Sequence, residues 1–131
     1  MKIEHFALNV SAPIEMANWY CQHLGMTAVS KMEQPPYTCF LADNSRNVMI
    51  EIYSNKAAPV PDYASTDPLV CHLAFVSDDP SSDIQHLIKA GATLVSEFQP
   101  GDGTHLAMLR DPWGFAIQLC KRAKPMLKMQ Q

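Results

Sequence analysis

An internal repeat constrains this chain more than any other feature. Shifted by 67 positions, His5 falls on His72 and Glu51 falls on Gln118. The surroundings agree in character. Ile3-Glu-His-Phe-Ala-Leu overlays Val70-Cys-His-Leu-Ala-Phe, and Met49-Ile-Glu-Ile overlays Ala116-Ile-Gln-Leu. A repeat of this kind means one supersecondary unit built twice. The 131 residues leave room for one domain made of two such units.

Each half carries the same order of elements. Residues 3–10 alternate His5, Ala7 and Asn9 against Phe6, Leu8 and Val10, the period of a strand. Ser11 and Pro13 open a helix whose apolar positions Ile14, Ala17, Cys21 and Leu24 share one face, and Gly25 ends it. Strands are predicted at 27–32, 38–42 and 48–53, broken by Pro35-Pro36 and by Asp43-Asn44-Ser45. Residues 57–68, rich in Pro, Ala and Asp, read as a linker. The second half predicts a strand at 69–76. A helix follows, capped by Asp79-Pro80, with Ile84, Leu87 and Ile88 inward and Gly91 at its end. Strands follow at 93–97, 104–109 and 115–120, with a turn at Asp111-Pro112-Trp113-Gly114. The expected fold class is α+β. Two βαβββ modules, about 1–56 and 69–121, carry curved antiparallel-rich sheets that form a cup. They make a single domain, 1–121, followed by a basic tail, 122–131.

Four polar residues sit inside apolar strands. With Ile50 and Ile52 packed under a helix, period 2 sends Met49, Glu51 and Tyr53 to the open face; by the same rule Ile117 and Leu119 pack and Gln118 does not. His5 and His72 occupy the matching positions of the first strands. A carboxylate among apolar neighbours is costly to bury unless it is paired or metal-bound. Two imidazoles, a carboxylate and an amide oxygen suit a divalent metal such as Ni, Zn, Co, Mn or Fe, with positions open for water or substrate. A hydrogen-bonded polar cluster without metal is the plainer alternative.

These stretches, together with His23-Leu-Gly-Met and Arg110-Asp-Pro-Trp-Gly-Phe-Ala-Ile-Gln-Leu, give a resemblance over residues 3–121. The chain resembles the vicinal oxygen chelate superfamily, which includes glyoxalase I, extradiol dioxygenases, methylmalonyl-CoA epimerase and the bleomycin and fosfomycin resistance proteins. Glyoxalase I-like members are the nearest pattern. The resemblance implies His5, Glu51, His72 and Gln118 as metal ligands. It implies a lyase or isomerase in which the metal chelates vicinal oxygens of a small substrate and stabilises an enediolate-like intermediate. Glu51 would then be the catalytic carboxylate. Asn55 matches a position that contacts glutathione, and Asn9 stands where glyoxalase I has an arginine, so both become candidate substrate contacts. Met49 and His105 join them as candidate pocket residues, Met49 by alternation and His105 as a possible proton relay. Two departures count against glutathione-linked turnover. Gln118 replaces a glutamate and takes up no proton near neutral pH. Asn9 lacks the charge and fork of arginine. The alternative reading is a non-catalytic small-molecule-binding protein of the bleomycin-resistance kind, and a third is an extradiol dioxygenase. A homodimer is expected, with the cup formed within one chain or between chains.

Composition removes other classes. At 47% hydrophobic and 18% charged, the chain is not of the disordered type. All 13 acidic residues precede position 121, while Lys121, Arg122, Lys124 and Lys128 follow without an acid between them. An acidic body does not suit a nucleic-acid backbone. No apolar run reaches membrane-spanning length, and the early Glu4 and His5 do not suit a signal peptide, so a cytoplasmic protein without a membrane partner is expected. The four cysteines at 21, 39, 71 and 120 show no zinc-finger spacing and sit in apolar stretches, as reduced cysteines do.

Overall fold

The computed structural model describes residues 1–127; Lys128 and residues 129–131 of the expected tail lie outside the described residues. The chain divides into two compact units, Met1–Pro61 and Asp62–Gln131, and the division falls inside the stretch read as a linker.

In the first unit the order is β1 (His5–Asn9), α1 (Pro13–Leu24), β2 (Thr27–Lys31), β3 (Cys39–Ala42) and β4 (Met49–Tyr53). The strands form one sheet in the order β1-β4-β3-β2. β1 runs parallel to β4, and the other pairings are antiparallel. The parallel pair requires a crossover, which α1, β2 and β3 supply. The alternation of β4 stands out: Ile50 and Ile52 are buried, and Met49, Glu51 and Tyr53 are half-buried on the other face. α1 ends at Gly25, which adopts φ +69° and sends its N–H back to the Tyr20 carbonyl. A left-handed backbone of this kind suits glycine.

The inward face of α1 differs from the predicted one. Met16, Ala17, Trp19 and Tyr20 are buried, whereas Ile14 is half exposed. Two apolar registers lie almost side by side on this helix, and the bulkier one, with the fully buried Tyr20, faces the sheet. On the face that alternates with His5, Leu8 and Val10 are buried but Phe6 is 51% exposed. α1 packs chiefly over β2, β3 and β4 rather than over the edge strand β1.

The second unit repeats the plan with β5 (Leu73–Val76), α2 (Pro80–Lys89), β6 (Thr93–Phe98), β7 (His105–Arg110) and β8 (Ala116–Lys121), in the sheet order β5-β8-β7-β6. β5 is parallel to β8. Ile84 and Leu87 of α2 are buried, as are Ile117 and Leu119 of β8; Ile88, expected inward, is 46% exposed. β2 and β6 carry matching irregularities, between Ala28 and Ser30 and between Leu94 and Ser96. A 3-10 turn at Tyr63–Ser65 belongs to this unit. Arg110 holds it by donating to the carbonyls of Tyr63 (2.8 Å), Thr66 (2.8 Å) and Gly114 (3.0 Å).

The expected cup is corrected. Each unit is a βαβββ module, but its sheet is open, with an edge strand at either end, and is neither closed nor strongly curled. One parallel pair in each also makes these sheets mixed. Period-2 alternation fixes which face a residue occupies and leaves the curvature of the sheet undetermined. Among the described residues, no helix is long and apolar enough to cross a membrane.

Candidate functional site

The parallel pairing of β1 with β4 brings His5 and Glu51 together. Ala7 stands opposite Glu51 and His5 opposite Met49, so the two polar residues share one face, one step apart along the strands. His5 Nε2 lies 3.1 Å from Glu51 Oε2. Its Nδ1 lies 3.0 Å from Glu4 Oε1, so the ring is flanked by two carboxylates. The Phe40 ring stands edge-on to His5 with centroids 5.5 Å apart, and Phe40 is the β3 partner of Glu51. Glu51 is the less exposed member of the pair, 17% against 35% for His5. The local surface is a polar pair among the half-buried side chains Phe40, Met49 and Tyr53. Sequence reasoning did not single out Glu4 or Phe40; period 2 on β3 would have placed Phe40 beside Glu51.

Asn9 and Asn55 meet at the other end of the same strands. Asn9 Oδ1 accepts the Asn55 N–H at 2.8 Å. Asn9 Nδ2 lies within 3.0–3.2 Å of the carbonyls of Asn55, Ala58 and Pro59. Asn55 Oδ1 accepts the Ala57 N–H at 2.9 Å. These amides fasten the segment after β4 to β1.

In the second unit, His72 is exposed and precedes β5 rather than lying within it, so the predicted strand at 69–76 begins four residues late. Asp67 is the cause. Its carboxylate accepts the Leu69 N–H and its carbonyl the Val70 N–H, which turns the chain before the sheet begins. His72 Nδ1 lies 2.8 Å from the Pro68 carbonyl and donates to it. Gln118 is half-buried in the middle of β8, and its Oε1 accepts a bond from Cys120 Sγ at 3.4 Å. Burial raises the Cys120 pKa above the usual thiol range. His105 lies on the other face of this sheet: Met108 pairs with Gln118, and His105 is three residues from Met108 along β7. It is 8% exposed and bonds Glu97.

Among the described residues, no three His, Cys, Asp or Glu side chains gather as a group that could hold a metal ion. His5 and Glu51 are spaced like two adjacent ligands, since donors about 2.1 Å from one ion stand about 3 Å apart. A third such donor does not join them.

The chain matches the family described as the Glyoxalase/Bleomycin resistance protein/Dioxygenase superfamily over residues 2–119. It is 30% identical, over 125 residues, to a "Probable lactoylglutathione lyase" from Vibrio cholerae, covering 90% of this chain and 88% of that one. The fold is similar to that of TnmS3, an antibiotic binding protein from Streptomyces sp. CB03234, with a TM-score of 0.69, 17% identity, and 92% and 94% of the two chains covered. It is also similar to that of a glyoxalase I mutant from Zea mays, with a TM-score of 0.72 and 23% identity, covering 94% of this chain and 46% of that one.

Proposed function

This chain belongs to the Glyoxalase/Bleomycin resistance protein/Dioxygenase superfamily, and from that premise we propose that it is a small-molecule-binding protein. Its ligand contacts centre on the His5–Glu51 pair. The observation that carries this reading is the state of the site's carboxylate. Glu51 is held by His5 at 3.1 Å, with Phe40 edge-on to the same imidazole. A half-buried carboxylate beside aromatic and thioether side chains suits a cationic or aromatic molecule. The amide at Gln118 fits the same reading, because it can hold a ligand by hydrogen bonds but cannot take a proton from one. The antibiotic-binding member with a similar fold supports it as well.

The test is calorimetry with cationic aromatic molecules, bleomycin included, in the presence of a chelator. The reading expects saturable binding at about one molecule per chain, weakened at least tenfold in Glu51→Gln. The absence of saturable binding across the panel overturns it.

A second reading is a glyoxalase-like lyase, favoured by the identity to the Vibrio cholerae protein and by the ligand-like spacing of His5 and Glu51. His5 and Glu51 would hold the divalent ion, and the resemblance assigns the remaining positions to His72 and Gln118. The ion would supply Lewis-acid polarisation of a substrate oxygen. Turnover of a methylglyoxal–glutathione adduct with added Ni, Zn, Co, Mn or Fe, abolished in Glu51→Gln, selects this reading over binding alone.

A further inference from the structure

The second unit contains a separate cleft of about 270 Å³, lined by Asp79, Ser81, Gln99, Thr104, His105 and Lys121 among others. It lies between the first turn of α2 and the β6–β7 hairpin. It opens on the sheet face opposite Gln118.

His105 lines this cleft and is bonded along one edge only. Its Nε2 lies 2.7 Å from Glu97 Oε2. Gln99 Nε2 donates to the same carboxylate oxygen at 3.2 Å and lies 3.2 Å from His105 Nε2. Glu97 therefore accepts the Nε2 proton, and a neutral imidazole carries its lone pair on Nδ1. Every contact of His105 runs through Nε2. Yet no buried side-chain nitrogen or oxygen among the described residues lacks a partner. Nδ1 is thus the accessible edge of a side chain that is only 8% exposed, and the space beside it is the cleft.

The walls carry one charge of each sign, Asp79 and Lys121. Ser81 adds a hydroxyl. The volume, about 270 Å³, falls just below the usual range of ligand pockets, roughly 300 to 1,000 Å³, and so suits only a small molecule. A ring acceptor in the lining, one anion and one cation match a small molecule that carries both an ammonium and a carboxylate. We propose that this cleft binds a small zwitterion of the amino-acid class. The ammonium donates to His105 Nδ1 and faces Asp79, and the carboxylate faces Lys121 and the Ser81 hydroxyl. A dianion such as phosphate is disfavoured by Asp79, and an uncharged polyol leaves both wall charges unmatched.

The experiment is a titration of the full chain carrying ¹⁵N-labelled histidine, read at the ring nitrogens of His105. Glycine and L-alanine are expected to shift the Nδ1 signal saturably. Acetate and glycolate, which lack the ammonium, are expected to bind at least tenfold more weakly. Lys121→Gln replaces an exposed side chain and is expected to weaken glycine about tenfold while leaving the free His105 signals in place. His105→Gln is expected to abolish the response of the remaining signals. No saturable shift with any amino acid overturns the proposal, as does equal binding of acetate and glycine, or binding of inorganic phosphate alone. The readout is independent of the His5–Glu51 site, so either assignment can fail without the other.

Discussion

Replacing Gly114 by alanine tests how tightly the second unit is assembled around its 3-10 turn. Gly114 adopts φ +88°, and a Cβ there would meet Ala64 Cβ at 2.6 Å, Cα at 2.7 Å and N at 3.0 Å. Two of those three atoms are backbone. The turn that bears Ala64 cannot retreat freely, because Arg110 grips the carbonyls of Tyr63 and Thr66 on either side, and the Tyr63 ring stands edge-on to Phe115 at 5.2 Å. Two costs add. A left-handed backbone costs an L-residue about 1–2 kcal/mol. Overpacking against a clamped segment costs about 1–3 kcal/mol more. Gly101 provides the control, since it has φ +101° but nothing within 4 Å of its Cβ position, so Gly101→Ala carries the first cost alone. With a urea m-value of about 2 kcal/mol/M, the added cost at Gly114 lowers the unfolding midpoint by about 0.5–1.5 M below that of Gly101→Ala. Equal midpoints for the two variants refute the reasoning, because they mean that the turn yields without cost.

Three further outcomes follow from the geometry. Asn9→Ala removes the amide that fastens residues 55–59 to β1; it is expected to cost about 1–3 kcal/mol and to speed amide exchange in that segment, as read by mass spectrometry. Cys39 and Cys120 have pKa values raised chiefly by burial. In the native state they should therefore react with a thiol reagent more slowly than the half-buried Cys21 and Cys71, and all four should react alike in denaturant. The same shifts have a sign in stability. The folded state retains thiol protons that the unfolded state releases, so this contribution is present below the ordinary thiol range and is lost as pH rises through the raised values, visible as a falling urea midpoint above about pH 9.

The repeat made much of this architecture legible. Ile50 and Ile52 around Glu51, and Ile117 and Leu119 around Gln118, announce strands with one buried face, and the structure keeps them so. The position of His72 was not legible by overlay, because the turn built on Asp67 delays the start of the strand and the overlay of apolar residues carries no sign of it. The inward face of α1 was ambiguous because apolar residues occupy two adjoining registers, and side-chain bulk decided between them. Asn9 looked like a candidate ligand contact, but the partners that occupy its amide are backbone carbonyls, which carry no sequence signature. The Glu97–His105 contact arises across the β6–β7 hairpin, with Glu97 paired to Ala107 two residues beyond His105. The glycines at 101 and 103 mark that hairpin, and its register could have been read from them.

The parallel partnership of β1 and β4 has a consequence for biosynthesis. The first strand of the unit to leave the ribosome waits for the last, since β1 has no other neighbour in its sheet. While α1, β2 and β3 emerge, His5 stands beside no Glu51. A chain interrupted before Met49 lacks both the sheet's second strand and the His5–Glu51 pair on its face. The pair is thus a mark of completion: translation products that stop before β4 carry the imidazole without its carboxylate.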